Sequence, residues 1–420
     1  VLMKRFCLGG MLVLLLIVAG GAALVGYKIY DFTQPTQTFA LTTPWTDKVD
    51  PHRPLPDYPR PQLRRHNWQN LNGRWRYRVT DLSALPPTSF DGEIVVPFAI
   101  ESLLSGVQKP LLPDQRLWYQ HVFEAPSTGH EQRLLLHFGA VDWEAEVWLN
   151  GNSLGVHRGG YDPFTFDITD ALHTGVDQEL IVAVWDPTNR GPGAYGKQHL
   201  VPHGIRYTAV SGIWQTVWLE TVPISRINKL VSSTNISANE VRLHIETHRA
   251  DPADQVEAIV FAEGNVVAVE RAAVDQDTAV VRIAPENLRH WSPDDPFLYD
   301  VQVRLLRDEK ELDVVQGYFG AREVVISEDA EGITRLFLNG RAVFHLGLLD
   351  QGWWPDGLYT APTDEALLFD IAATRRMGFN SIRKHVKVEP ARWYWHADRL
   401  GLLVWQDMPT GDGGANRYRQ

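Results

Sequence analysis

Residues 336–409 read LFLNGRAVFHLGLLDQGWWPDGLYTAPTDEALLFDIAATRRMGFNSIRKHVKVEPARWYWHADRLGLLVWQDMP. An alternating strand runs into Asn339-Gly340, and a second apolar strand spans residues 343–349. Thr363-Asp364-Glu365 can cap a helix whose apolar residues Leu367, Leu368, Ile371 and Met377 recur at helical spacing, and Gly378 ends it. A short strand (381–385), another helix and a third strand (402–407) follow. The order is β-α-β-α-β. Polar or aromatic residues gather where each strand ends: Asp350, Arg383, His385, Lys387, Trp405 and Asp407. In a (β/α)8 TIM barrel, active sites lie at those C-terminal strand ends. Residues 329–420 are therefore expected to form the first three βα steps of such a barrel, in a chain that breaks off inside it.

Upstream the pattern is all β. Between residues 65 and 222, short alternating or apolar runs such as LNGRWRYRVT, QRLLLHFGAV and ELIVAVWD are broken by Gly, Pro, Asn or Asp. Asn150-Gly151, between EAEVWL and NSLGVH, is a strong hairpin signal. Eight or more such strands suggest a jelly-roll β-sandwich. Residues 223–328 hold fewer strands with turn-sized gaps, the pattern of an immunoglobulin-like β-sandwich without a disulfide. Residues 31–64, rich in Pro and Thr, read as a linker. Residues 1–30 carry Lys4-Arg5 before the apolar run LGGMLVLLLIVAGGAALV, a signal peptide or an N-terminal membrane anchor. The charge asymmetry places the body of the chain outside the cytoplasm, periplasmic or otherwise extracytoplasmic.

Composition narrows the function. With 420 residues and 44% apolar content, the chain suits several packed domains. A net charge of −11 argues against nucleic acid as a partner. The one cysteine, Cys7, precedes the apolar run, so the globular part has no disulfide. Each of the 15 tryptophans is first a packing residue and second a stacking surface for the apolar face of a sugar ring.

Several stretches resemble glycoside hydrolase family 2, the group of β-galactosidases, β-glucuronidases and β-mannosidases. LHFGAVDWEAEVWLNGNSLGVHRGGYDPFTFDITDAL (136–172) is similar to its sugar-binding sandwich, and SGIWQTVWLE (211–220) to that domain's closing strand. WSPDDPFLYDVQV (291–303) is similar to the end of its immunoglobulin-like domain, and the 336–409 region to the start of its barrel. The resemblance implies a retaining β-glycosidase that uses two carboxyl groups about 5–5.5 Å apart. It implies a carbohydrate substrate and no cofactor. Asp350, Trp354, Arg383, His385, Lys387, Trp405 and Asp407 would line part of the sugar pocket, with Trp353 a further stacking surface. Arg383 with Asp407 could equally be a salt bridge, and Lys387 a solvated side chain.

Two departures stand out. Leu349-Asp350-Gln351 stands where the typical β-galactosidase pattern has Arg-His-Glu after the first barrel strand, and the family's acid/base and nucleophile glutamates are expected beyond Gln420. Asn239-Glu240 reads as a surface turn, and Glu365 and Glu389 as helix-start carboxylates. The alternative is a non-catalytic carbohydrate-binding protein with a vestigial barrel.

Two other motifs carry less. GPGAYGKQ (191–198) fits a Gly-rich phosphate loop, but Gln198 stands where Ser or Thr is needed, and Pro202 follows instead of a helix. A loop reaching toward the barrel mouth is the better reading. His199 and His203 lie in that loop, where Pro202 and Gly204 argue against a helix presenting both to a metal.

The topology is testable. A reporter active only outside the cytoplasm, fused after Leu63, is expected to be active. A signal there from a reporter that works only in the cytoplasm would overturn the orientation.

Overall fold

The computed structural model describes residues 41–411. The basic-flanked apolar run, Cys7 and the first part of the expected linker lie outside the described residues. Among the described residues, no helix is long and apolar enough to cross a membrane.

The first unit is a sandwich of two antiparallel sheets. One sheet orders the strands Trp68–Asn70, Val217–Pro223, Gln132–Phe138 and Phe164–Asp167. The other orders Gly92–Val96, Gly73–Asp81, Gln115–Phe123, Gln178–Trp185, Glu144–Leu149 and Asn152–Arg158. Period-two alternation explains the layers: Gly73, Trp75 and Tyr77 are buried while Arg74 and Arg76 are exposed. Trp75, Leu117, Tyr119, Leu136, Phe138 and Val182 belong to the shared core. Asn150 and Gly151 both take positive φ (51° and 80°), the geometry of the expected two-residue hairpin turn.

The second unit is a sandwich of three and four strands. Arg226–Asn235, Glu240–His248 and Thr278–Ile283 face Asn265–Ala273, Gln255–Ala262, Tyr299–Arg307 and Lys310–Phe319. Alternate residues Val241, Leu243 and Ile245 are buried against Val256, Ala258 and Val260. Asn239 turns between two strands at the surface, and Glu240 pairs with Arg242.

The third unit begins with a ribbon (Val324–Glu328, Thr334–Leu338, Arg341–Ala342). Three parallel strands follow, β1 (Gly347–Asp350), β2 (Ser381–Lys384) and β3 (Leu403–Gln406), connected by α1 (Asp364–Arg376) and α2 (Ala391–Leu400). The Thr363 side chain accepts from the Ala366 amide, capping α1 as expected. Gly401 closes α2 at φ 71°, where a Cβ would also lie 2.4 Å from the Pro293 carbonyl oxygen. The apolar run 343–349 becomes strand only from Gly347. Before that, the Asn380 side-chain oxygen takes the Leu346 amide, and the Leu346 carbonyl receives the amides of Asn380 and Ser381.

Residues 41–64, expected to be a linker, are instead a packed strap. Trp45, Tyr58 and Leu63 are buried. Thr43 and Thr46 both donate to Asp356 (2.7 and 2.6 Å), and Trp45 belongs to the core of the third unit. At the other end Tyr58 donates to Glu220 (2.6 Å), Arg60 donates to both Glu220 oxygens, and Arg65 pairs with Asp313 of the second sandwich (2.5 Å). Burial raises the Glu220 carboxyl, but Arg60 and the donors around it hold it below its ordinary range.

A second set of buried acids lies within the first sandwich. Burial pushes the Glu101 carboxyl up to about 8 and Asp186 up to about 6, and raises Asp142 as well.

Two stability experiments follow. Glu220→Gln removes the buried counter-charge of the partly exposed Arg60 and weakens the hydrogen bonds from Tyr58 and Trp218, so chemical denaturation should show a loss of roughly 1–3 kcal/mol. Lys48→Ala, which breaks only the exposed pair with Glu365, should leave the midpoint unchanged. The folded chain keeps a proton on Glu101 that the unfolded chain releases near the ordinary carboxylate range. The Glu101 contribution to stability should therefore fall as pH rises from about 4.5 to about 8, against the opposite drift from His121 and His137, whose imidazoles burial pushes down. Between pH 5.5 and 8.0 the Glu101 contribution should change by roughly 2–3 kcal/mol, read as the difference in pH dependence of urea-unfolding stability between the parent chain and Glu101→Gln.

Candidate functional site

In a strand, successive side chains point to opposite faces. The parallel register sets Leu349 beside Arg383 and Arg383 beside Trp405, with Asp350, Lys384 and Gln406 forming the next row. The first row is open: Leu349 is 56% and Trp405 49% exposed, whereas Lys384 is 1% exposed. Two surfaces result.

The open surface gathers four of the seven expected site residues. Arg383 clasps Asp407 through Nε (3.1 and 3.0 Å) and Nη2 (2.8 Å). The His385 Nδ1 lies 2.7 Å from the same carboxylate. Hydrogen bonds from Arg383, then His385, hold Asp407 below its usual range. Trp405 donates its indole N–H to His345 Nδ1 at 2.6 Å. The His385 imidazole is fixed by the Asp407 carboxylate through Nδ1, which leaves its Nε2 for another partner. Together Arg383 and His385 offer donors to an oxygen-rich ligand, and Trp405 offers a ring.

The other three are placed differently. Asp350 turns to the helix side, where Lys384 Nζ meets it at 2.5 Å and the Gly352 amide at 2.7 Å. Lys387 is not solvated. It is buried and donates to Gly352 O (2.7 Å) and Tyr359 O (2.8 Å) while pairing with Glu389 at 2.9 Å. Burial pushes its ammonium down to about 8 against the pull of Glu389. Trp354 sits edge-on to Trp45 at 5.9 Å and packs against the third unit's core. Its neighbour Trp353 takes the aromatic position near the strand ends, stacked on Tyr207 at 4.5 Å and tilted against Tyr359.

Glu389, read as a helix-start carboxylate, is 5% exposed and receives both Lys384 (2.7 Å) and Lys387. The missed residues are thus Lys384, Glu389, Tyr359 and Tyr207. Strand alternation could have separated Lys384 from Arg383 and His385. Nothing local marks Glu389 or Tyr207.

The loop containing GPGAYGKQ does reach the strand ends. The Tyr195 and Gly196 amides donate to Thr410 O at 3.2 and 2.8 Å. Gly196 has φ 57°, and a Cβ there would meet the Val386 carbonyl oxygen at 2.6 Å. No helix follows this loop, and Gln198 is buried, donating to Asp142 at 2.7 Å. The His199 and His203 rings lie edge to face at 5.0 Å, and no group of potential ligands among the described residues could hold a metal ion.

Comparison with known proteins places this architecture. The sequence model of the glycosyl hydrolases family 2 sugar binding domain matches residues 106–223, and that of glycosyl hydrolases family 2 matches residues 225–322. A putative β-glucuronidase of Formosa agariphila is 25% identical over 356 residues, 82% of this chain and 42% of that protein. A β-galactosidase of Thermoanaerobacter pseudethanolicus is 26% identical over 356 residues, 81% of this chain and 46% of that protein. The chain thus spans under half the length of these two relatives. In fold, it is similar to a Bifidobacterium dentium β-glucuronidase solved with coumarin-3-O-glucuronide, with a TM-score of 0.68 at 22% identity, covering 83% of this chain and 62% of that one. Two adjoining models of one family, matched in order along residues 106–322, make this chain a member of glycosyl hydrolase family 2.

Proposed function

We propose that this chain supplies the jelly-roll sugar-binding sandwich, the immunoglobulin-like sandwich and the first βα steps of the (β/α)8 barrel of a retaining β-glycosidase. The reaction is hydrolysis of the O-glycosyl bond of a β-linked sugar. The observation that carries the reading is the Arg383–Asp407–His385 cluster on the open face at the strand ends, in a chain of this family. Names among the relatives, β-glucuronidase and β-galactosidase, support the reaction class.

The acids around the strand ends have other work. Asp407 is held by Arg383 and His385, Asp350 by Lys384, and Glu389 by two lysines. A proton donor must give up its proton and a nucleophile must reach the anomeric carbon. A carboxylate committed to one or two cations is poor at both. The catalytic pair is therefore proposed to lie outside the described residues, and the cluster here to bind sugar hydroxyls and hold a neighbouring carboxylate ionised. Trp405 would stack on the ring. Export across a membrane, drawn from Lys4-Arg5 and the apolar run, belongs to the same proposal.

The test is turnover of chromogenic β-galactoside, β-glucuronide and β-mannoside by the polypeptide as its source expresses it, beside residues 1–420 alone. The first is expected to hydrolyse one of them with retained anomeric configuration by NMR. The second is expected to stay at the no-enzyme level. Arg383→Ala in the active form should lower kcat/KM by about 10²-fold or more. Inversion at the anomeric carbon, or no hydrolysis of any β-glycoside, would refute the proposal. Turnover by residues 1–420 that Asp407→Asn or Glu389→Gln abolishes would move the carboxyl pair into this chain.

A further inference from the structure

A cavity of about 360 Å³ lies away from the open strand-end face, where the strap, the first sandwich and the N-terminal ends of α1 and α2 meet. That volume is within the range of small-molecule sites. Four aromatic residues line it: Tyr161, Trp214, Trp218 and Tyr394. Their polar ends are already engaged elsewhere. Trp214 donates to Gly160 O, Trp218 to Glu220 and Tyr394 to Gln406, and the Tyr161 hydroxyl lies 3.1 Å from that of Tyr359. What they add to the wall is apolar surface.

The same wall carries unmet hydrogen-bonding capacity. Glu389 lines the cavity with its side chain 3% exposed; Oε1 takes both lysines, and Oε2 has no partner among the described residues. Gln62 lines it too, and its Oε1 is likewise without a partner. Buried polar atoms in folded proteins are nearly always satisfied, and the exceptions point to a missing water, ion or ligand. Both oxygens are acceptors, while Arg60 Nε on the same wall is a donor without a partner among the described residues, so the missing group must both donate and accept, as a hydroxyl does. Each atom is sealed from bulk water, and a small rotation about its terminal bond would be needed to meet a ligand. Charge narrows the class further. Arg60 is balanced by Glu220, and Arg392 is bidentate on Asp364 (2.6 and 2.7 Å). Each guanidinium charge on this wall is already matched by a carboxylate, which disfavours an anion although Arg60 Nε keeps a free N–H.

We infer that this cavity is a second binding site, for a small neutral ring that carries hydroxyl donors on one edge and an apolar face. A single neutral sugar and a phenol share that chemistry. The inference does not depend on the hydrolase reading, because the site shares none of the open-face residues.

The experiment uses the intact 420-residue chain, with isothermal titration and ligand-observed NMR. The probes are methyl β-D-glucopyranoside, phenol and methyl β-D-glucuronide. Binding of the neutral sugar or of phenol is expected, and which one binds identifies the source. The anionic probe should bind at least tenfold more weakly. Ala361→Phe, which fills the cavity, should abolish binding, with circular dichroism checking the fold. Should that variant fail to fold, Gln62→Leu and Glu389→Gln should each weaken binding at least tenfold. Arg383→Ala, on the open face, should leave it unchanged. Absence of binding by both neutral probes, equal binding of the glucuronide, binding that survives Gln62→Leu and Glu389→Gln, or loss in Arg383→Ala would each overturn the inference.

Discussion

The buried carboxylate of Glu220 is the point on which the arrangement of the units depends. It lies on the closing strand of the first sandwich, 1% exposed, and receives Tyr58, Arg60 and the Trp218 indole. Arg65 lies 3.6 Å away and reaches on to Asp313 and the Ile227 carbonyl of the second sandwich. A charge so enclosed is costly unless its partners are all in place. Apart from Trp218 on the same strand, those partners lie in the strap or immediately after it, distant in sequence from both Glu220 and Asp313. The strap continues to Thr43 and Thr46 on Asp356, so one stretch of chain touches three units. Breaking any of these contacts leaves a buried charge or hydroxyl unpaired, which makes the relative placement of the units specific.

The strand-end region shows the same logic on a smaller scale. Lys384 and Lys387 converge on Glu389 and connect it to Asp350 and to the carbonyls of Gly352 and Tyr359. The loops after β1 and β2 are thereby laced together beneath the open face. Such a network is weak evidence for stability, since apolar packing of the same volume often does as well. Its value is geometric. It fixes the loop that carries Trp353, and only glycine fits at 352, because a Cβ there would lie 2.4 Å from Glu389 Oε1. Arg383, His385 and Asp407 stand on the opposite face of the same strands and are free of this network.

The second sandwich is not a passive spacer. Asp398 on α2 receives Arg322 (2.7 Å) and the Tyr318 hydroxyl (2.9 Å), and the Asp398 carbonyl accepts the Trp291 indole N–H (2.7 Å). Arg375 at the end of α1 donates to Pro293 O. Both helices behind the parallel strands are anchored to this unit, while the first sandwich sends its 191–198 loop to the front. The open face is thus held from behind and rimmed from a second direction.

Much of this was legible in the sequence because it is local. Period-two alternation marked the strands, Asn150-Gly151 the hairpin, Thr363 the helix cap, and ordered motifs the family. Arg383, His385, Trp405 and Asp407 could be found because they sit at strand ends on alternate positions. Asp350, Lys387 and Trp354 looked equivalent to them, yet tertiary structure turned all three inward. The sequence by itself determined which segments become strands and helices and which polar residues lie near their ends, since those follow from neighbours a few residues away. Only the tertiary structure decided which of these face the open surface, which are paired underneath it, and that residues 41–64 form a strap. Those outcomes depend on partners hundreds of residues apart, and a buried charge takes whichever counter-charge the packing brings within about 3 Å.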